Sequence, residues 1–426
     1  MKLIINPAPD QWQQLLQRPA IDNASLQDKV CTVMLDVKKN GDEAVSRFTE
    51  QFDGVKLQSA LVTAEEINAA ASLVSAELQQ AIRQAADNIR RFHEIQLAEP
   101  ERIETMPGVE CWRKSVGIER VGLYIPGGTA PLFSTILMLG IPAKIAGCRE
   151  IVLCSPPDKS GKLNPAILFA AQLVGITRVF KIGGVQAIAA MAYGTATVPQ
   201  VYKIFGPGNQ YVTCAKQLVQ QEGVAIDMPA GPSEVCVLAD SSANAAYIAA
   251  DLLSQAEHGT DSQVLLVATD AALVSEVQAE IDSQVVSLPR KELATASLQH
   301  SKAIVLHDMN EAVELVNAYA AEHLIIACAN ADEIAERVVN AGSVFLGYYS
   351  PESVGDYASG TNHTLPTNGF ARTYSGVSVD SFVKKITYQR LTKEGLHLIG
   401  DTVMRMAEAE GLEAHKNAVQ VRLKNK

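Results

Sequence analysis

Residues 178–193 read RVFKIGGVQAIAAMAY: a short apolar run, Arg178–Ile182, a Gly183-Gly184 turn, and an alanine-rich stretch long enough for a helix. A buried strand that passes into a helix through a tight glycine turn is half of a strand–helix–strand unit. The same pattern extends on both sides. EIVLCS at 150–155, Val201–Phe205 and Val224–Met228 are further short apolar runs, separated by Ala/Leu-rich helical segments. Beyond residue 233 the alternation repeats, with strands expected at Val235–Ala239, Gln263–Thr269, Ala303–Leu306, Leu324–Cys328 and Ser343–Gly347. Helices are expected between them at Ala243–His258, Glu311–Ala321 and Asp332–Ala341. Strand, helix, strand in this order implies parallel sheets with right-handed crossovers. The expected fold is therefore α/β, with two incomplete doubly wound parallel-sheet units at roughly 124–232 and 233–348.

The ends read differently. Residues 1 to about 110 look mostly helical: Thr63-Ala64-Glu65-Glu66 is a capping box, and Leu78, Ile82, Ala85, Ile89 and Phe92 recur at helical spacing behind it. The portion from about Lys384 looks helical and charged. The chain has 426 residues, about three domain equivalents, and needs no staples to bury a core. Its formal charge of −11 argues against a nucleic-acid partner, which would require a basic stripe. No window of about 20 apolar residues is present, which argues against a membrane span. The N-terminus turns polar after a few residues, without a signal-peptide core, and the seven cysteines show no CxxC pair. These features fit a cytoplasmic chain whose cysteines, Cys111 and Cys154 among them, are structural thiols.

Several stretches can carry chemistry, and each also has an ordinary reading. Gln255 and His258 share one face in the last turn of a helix, with Gly259 expected as a left-handed cap. Partial negative charge at a helix C-terminus favours a cation, although a polar last turn explains the pair equally well. Ala321-Glu322-His323-Leu324 stands where a helix gives way to a strand, at the edge of a parallel sheet where chemistry gathers. Its carboxylate and imidazole offer two proton acceptors, or simply a solvated dipeptide. Ser350–Thr367 is an 18-residue polar loop holding Asp356 and His363, longer than structureless loops usually run. Tyr124-Ile125-Pro126-Gly127-Gly128, Gly183-Gly184-Val185-Gln186 and Gly206-Pro207-Gly208-Asn209-Gln210-Tyr211 are turns at which a phosphate can approach a helix N-terminus. Tyr211 stands where a dinucleotide fingerprint has its third glycine, so the units are Rossmann-like but incomplete, and tight packing turns explain each stretch alone.

Together these stretches resemble the histidinol dehydrogenase family. The carriers are VGLYIPGG, GGVQAIAAMAYGT, IFGPGNQY, IDMPAGPSEV, DLLSQAEHG with DSQ, AEHLII, AGSVFLG, SPES, GDYASGTNHTLPT and AHKNAV, in one order along nearly the whole chain. The resemblance implies oxidation of L-histidinol to L-histidine through the aldehyde, the last step of histidine biosynthesis, with two NAD and one Zn2+ per subunit. It implies zinc ligands Gln255, His258, Asp356 and His415, and acid/base residues Glu322 and His323. Substrate would also meet Ser233, His363 and Glu410, and NAD would meet Tyr124, Gln186 and Asn209. It implies an obligate homodimer whose tail histidine reaches the other subunit's site. The division it implies is an N-terminal helical arm at 1–20, a larger α/β domain at 21–123 and 233–377, an NAD-binding domain at 124–232, and a helical tail at 378–426. Two nitrogen and two oxygen donors suit zinc, and zinc is redox-inert, so the electrons must go to NAD. A zinc hydrolase without NAD, or a silent binding protein, would use the same scaffold. Ala321 stands where the family usually has proline, which leaves room for a looser placement of the base.

Overall fold

The computed structural model describes all residues except 19–22, 98, 128–130, 230 and 425–426, so Gly128 and the expected boundary at residue 20 lie outside the described residues. The chain opens with β1 (Lys2–Ile5), α1 (Pro9–Leu15), α2 (Asn23–Asp53), α3 (Ala64–Leu73) and α4 (Ala76–Glu94), then β2 (Arg102–Met106) and β3 (Val109–Gly117). The first α/β unit runs β4 (Arg120–Tyr124), α5 (Phe133–Ile145), β5 (Glu150–Ser155), α6 (Pro165–Val174), β6 (Arg178–Lys181), α7 (Gly184–Tyr193), β7 (Lys203–Phe205), α8 (Gln210–Gln221) and β8 (Ala225–Ile226). The second runs β9 (Glu234–Ala239), α9 (Ala245–Ala256), β10 (Gln263–Ala268), α10 (Ala271–Gln284), α11 (Lys291–His300), β11 (Lys302–Val305), α12 (Met309–Tyr319), β12 (His323–Ala327), α13 (Ala331–Ala335) and β13 (Ser343–Leu346). It is followed by α14 (Glu352–Tyr357), β14 (Val383–Leu391), α15 (Lys393–Ala409) and α16 (Glu413–Lys424).

Both units share one topology. The five-stranded sheet runs β6-β5-β4-β7-β8, and the six-stranded sheet runs β1-β11-β10-β9-β12-β13, parallel throughout. In each, a unit's first strand lies between its second and fourth, the order that opens a crevice where the winding reverses. The strands are aliphatic on both faces because helices cover both. In the five-stranded sheet Val121, Leu123, Ile151 and Leu153 face α3–α6, while Val152, Cys154 and Phe180 face α2, α7 and α8. In the six-stranded sheet Val235, Val237, Val264 and Leu266 face α9–α11, and Cys236, Leu238, Leu265 and Leu324 face α1, α12 and α13.

The ends depart from the sequence reading. The first residues form a strand rather than a helical arm: Lys2–Ile5 pairs with Lys302–Val305 as the edge of the larger sheet. A four-residue aliphatic run is too short to show a period. Helix α2, kinked at Gly41, lays Val30, Val33, Met34, Val37, Val45 and Phe48 against the α7 and α8 side of the smaller unit, and α3 and α4 cover its other face. Packing thus joins residues 23–94 to the 124–232 unit, not to the larger one. The capping box forms, with Glu66 N donating to Thr63 Oγ1 at 3.2 Å and Thr63 N to Glu66 Oε2 at 2.9 Å. The buried stripe of α4 is Ile82, Ala85, Ala86, Ile89 and His93, while Leu78 and Phe92 are exposed. At the other end the β-branched and aromatic run VKKITYQRL forms β14 and pairs antiparallel with β3, as β2 also does, before the tail becomes helical. Helix α13 is shorter than expected, and α14 lies inside the loop at 350–367.

Phe382 joins this antiparallel sheet to the smaller unit: it is fully buried and stacks on Phe205 with ring centroids 4.0 Å apart. Truncation of Phe382 to alanine should cost about 3–5 kcal/mol of stability in urea denaturation; a loss below about 1 kcal/mol would show that the contact does not join the units.

Candidate active site

Glu234 begins β9 and organises the residues around it. Its main-chain N–H donates to Glu322 Oε2 at 2.8 Å, and its carbonyl oxygen lies 3.1 Å from His323 Nδ1. A carbonyl only accepts, so Nδ1 carries the hydrogen and Nε2 is left free for chemistry. The Glu234 side chain is buried and forms a two-pronged pair with Arg18, Nε to Oε1 at 2.7 Å and Nη2 to Oε2 at 2.8 Å. Arg18 also donates to Tyr319 O at 2.8 Å and lies over the Tyr319 ring. Asn368 N donates to Glu234 Oε1 at 2.8 Å, tying the segment beyond His363 to the same carboxylate.

Glu322 and His323 stand at the amino end of β12, not at the carboxyl edge where doubly wound sheets usually place chemistry. The turn is held without proline. Ala320 adopts a left-handed conformation (φ 55°), and Gly342 N and Ser343 N donate to the carbonyls of Ala321 and Glu322, each at 2.9 Å. A side chain at Gly342 would meet the Glu322 carbonyl at 2.5 Å, so the chain entering β13 approaches this turn only as glycine. With alanine at 321, the turn is thus held by backbone hydrogen bonds on both sides of Glu322.

Helix α9 ends antiparallel to the strands and delivers Gln255 and His258 to this same edge. Gln255 Nε2 lies 3.1 Å from His258 Nδ1. The expected left-handed cap at Gly259 does not form: α9 ends through right-handed Glu257, and Gly259 has no positive φ. Helix α14 brings Asp356, whose Oδ1 is 3.3 Å from His323 Nε2. His363 Nδ1 donates to the Asp356 carbonyl at 2.8 Å, and its Nε2 lies 3.2 Å from Thr135 Oγ1 on α5. That last bond brings the amino edge of the larger sheet against the carboxyl edge of the smaller one.

Charge and burial compete here. Burial raises the Glu322 carboxyl, and it raises Glu352, which is also buried on α14. Burial works against a charged His323, but Glu322, Glu352 and Asp356 outweigh it and raise the imidazole. Asp356 is held down despite its burial by His323, His363 and His258, while burial lowers His258 and His363. Gln255 Oε1, Asp356 Oδ1 and His323 Nε2 are buried with no hydrogen-bond partner among the described residues. The unanswered oxygens of Gln255, whose amide nitrogen meets His258, and of Asp356 suit a cation, although among the described residues no group of three or more His, Cys, Asp or Glu side chains is arranged as a metal site. His415 and Glu410 do not join them. Both are exposed on the C-terminal helices, and α16 buries no residue. Ser233 is half-buried directly before Glu234.

At the carboxyl edge of the smaller sheet a cavity of about 1510 Å³ is lined by Tyr124, Gly184, Asn209 and Tyr211, together with α2 and α3. Gly184 N donates to Tyr124 Oη at 3.1 Å. Asn209 caps α8, accepting from Tyr211 N and Val212 N at 3.1 and 3.2 Å. Gly206 has φ 125°, and a Cβ there would lie 2.0 Å from the Tyr124 carbonyl, so the turn requires glycine. Gln186 is fully buried with neither amide atom partnered among the described residues, although it does not itself line the cavity. The two helix N-termini and the orphaned amide suit an anionic, hydrogen-bonding cofactor. Cys154 is buried, and burial raises its thiol pKa, in keeping with a structural role. All seven cysteines are free.

Sequence reasoning missed Arg18, Glu234 and Glu352. Glu234 and Glu352 lie inside quoted motifs, Glu234 directly after Ser233, but no spacing shows that the partner of Glu234 is Arg18, far away in the chain.

The sequence model of the histidinol dehydrogenase family matches residues 16–423. A histidinol dehydrogenase of Bacteroides thetaiotaomicron is 62% identical over 423 residues, covering 99% of each chain. One from Xylella fastidiosa is 53% identical over 97% of this chain and 98% of its own. The crystal structure of histidinol dehydrogenase from Elizabethkingia anophelis superposes with a TM-score of 0.98 at 55% identity, covering 100% of this chain and 98% of that one.

Replacing Arg18 by methionine leaves the Glu234 carboxylate buried and unpaired, at a cost of about 3–5 kcal/mol. The double variant Arg18→Met/Glu234→Gln should lose less than the single one in urea denaturation. Strictly additive losses would show that the pair is not coupled.

Proposed function

The chain belongs to the histidinol dehydrogenase family of oxidoreductases, and we propose that it oxidises L-histidinol to L-histidine through L-histidinaldehyde. This is the final step of histidine biosynthesis, with two NAD consumed per turnover. The observation that carries the reading is the His323 imidazole, whose Nδ1 is fixed on the Glu234 carbonyl while its Nε2 faces the Asp356 carboxylate at 3.3 Å.

NAD, when bound, accepts a hydride in each oxidation. Tyr124, Asn209 and the α7 and α8 N-termini line its cleft, and the buried Gln186 stands in the first turn of α7. Zinc, when bound by Gln255, His258 and Asp356 with the partner's His415, supplies a redox-inert Lewis acid that orients the substrate's amine and imidazole. The chain's own groups handle the protons. His323 Nε2 takes the hydroxyl proton as the carbinol C–H bond breaks, giving the aldehyde. The imidazole is held in one tautomer and one rotamer by the Glu234 carbonyl, so no reorganisation is needed at that moment. Glu322, desolvated and a stronger base for it, takes a proton from water as it adds to the aldehyde. His323 returns its first proton to the aldehyde oxygen as the diol forms, and, free again, takes a hydroxyl proton of the diol as the remaining carbinol C–H bond breaks in the second oxidation. Ser233 and His363 border the substrate. Glu410 and His415 of the partner subunit complete the site in an obligate homodimer. Exposed Leu398, Met406, Leu412 and Val421 on α15 and α16 give that assembly an apolar surface to bury. Among the described residues no helix is long and apolar enough to cross a membrane, and we place the enzyme in the cytoplasm.

Zinc-loaded protein given histidinol and excess NAD should yield two NADH per histidinol, and no NADH would remove the reading. Glu322→Gln should slow the aldehyde-to-acid half-reaction by about 10²–10⁴-fold and the alcohol half-reaction far less. His323→Asn should slow the alcohol half-reaction by a similar factor. Equal losses in both half-reactions for Glu322→Gln would contradict this division of roles.

A further inference from the structure

The cavity at the carboxyl edge of the smaller sheet contains a carboxylate with an unanswered acceptor. Asp53 is the last residue of α2, and its Oδ2 is buried with no hydrogen-bond partner among the described residues. It lines the cavity with Phe52, Tyr124 and Gly184. A carboxylate is disfavoured at a helix C-terminus, where the last carbonyls already carry partial negative charge and lack donors. Burial pushes Asp53 up to about 6. A desolvated acceptor beside orphan carbonyls demands donors that the neighbouring fold does not provide.

The sequence of the smaller unit shows why such a donor-seeking acid matters. In a dinucleotide-binding unit the acid that meets a ribose hydroxyl stands about 20 residues beyond the glycine turn, near the end of the second strand. Here that strand, β5, ends in Ser155-Pro156-Pro157. The next acid, Asp158, is engaged by its own turn: its Oδ1 accepts from Ser160 N at 2.8 Å, Ser160 Oγ at 2.7 Å and Lys162 N at 3.0 Å. Asp53 arrives in the same cavity from a helix outside the unit.

We propose that Asp53 binds a ribose cis-diol of the dinucleotide, its carboxylate accepting from the adjacent hydroxyls. The proposal rests on the reading of this cavity as the NAD cleft. Lys29, Lys159 and Lys162 line the same cavity and supply positive charge for the diphosphate. A carboxylate at the diol repels a phosphorylated ribose, so the residue also sets the preference for NAD over NADP when the diol is that of the adenosine.

The test is equilibrium binding to the zinc-loaded dimer, with NADH, NADPH, AMP, 2′-deoxy-AMP and nicotinamide mononucleotide as probes, comparing the unchanged protein with Asp53→Asn and Asp53→Ser. Both variants should keep the thermal midpoint, since a desolvated charge is removed, and should bind NADH at least tenfold more weakly. If the diol is the adenosine's, the unchanged protein prefers AMP to 2′-deoxy-AMP and NADH to NADPH, and both preferences vanish in the variants. If it is the nicotinamide ribose, the variants lose affinity for the mononucleotide and not for AMP. Unaltered binding of all probes in folded variants overturns the role of Asp53 while leaving the NAD reading intact. Failure of the unchanged protein to bind NADH overturns the NAD reading of the cavity, and this proposal with it.

Discussion

A buried carboxylate cannot stand alone, and the Glu234 side chain meets that constraint through a residue more than two hundred positions away. Arg18 grips it with two hydrogen bonds, and Asn368 adds a third from the far side of the site. What the pair fixes is the start of β9. From there one main-chain N–H holds the Glu322 carboxylate and one carbonyl holds the His323 ring. Both side chains are thus oriented by backbone, and the backbone is anchored by a desolvated ion pair. Such a pair adds little net stability, but breaking it on one side is costly. That asymmetry makes it a suitable anchor for geometry.

The two sheets then explain where the site lies. Both have the same strand order, but they contribute opposite edges. The smaller one offers its carboxyl edge, with glycine turns and helix N-termini that fit an anionic cofactor. The larger one offers its amino edge, where α9 ends and β12 begins. The bond between His363 and Thr135 marks where the edges meet. In the proposed function, cofactor binding and acid/base chemistry belong to separate units that tertiary packing brings together.

Much of this was legible in the sequence because buried parallel strands are short, aliphatic and separated by helices. RVFKI, EIVLCS and QVLLVA each form the strand they resemble. The ends were harder to read. KLII is too short to show a period, and VKKITYQRL carries enough charge to pass for a helix until β3 pairs with it. At the site, Gln255 meets His258, His323 and His363 both reach Asp356, and Glu322 lies beside His323. Arg18 and Glu234 were not legible, since an ion pair across that separation leaves no local pattern. His415 and Glu410 were named from the resemblance, yet within one chain they stay exposed on the terminal helices, away from the orphaned oxygens of Gln255 and Asp356. Unanswered acceptors at the site and a last helix, α16, that buries no residue are the two halves that the proposed homodimer brings together.

Whether those halves belong to different subunits is the central claim. It is tested most directly by mixing two inactive variants, His258→Ala and His415→Ala, and assaying heterodimers isolated with separate affinity tags. In a heterodimer one site carries both lesions and the other carries neither, so the account predicts that activity returns, approaching half that of the unchanged enzyme. No activity in confirmed heterodimers would mean that each tail completes its own subunit's site and would contradict the account.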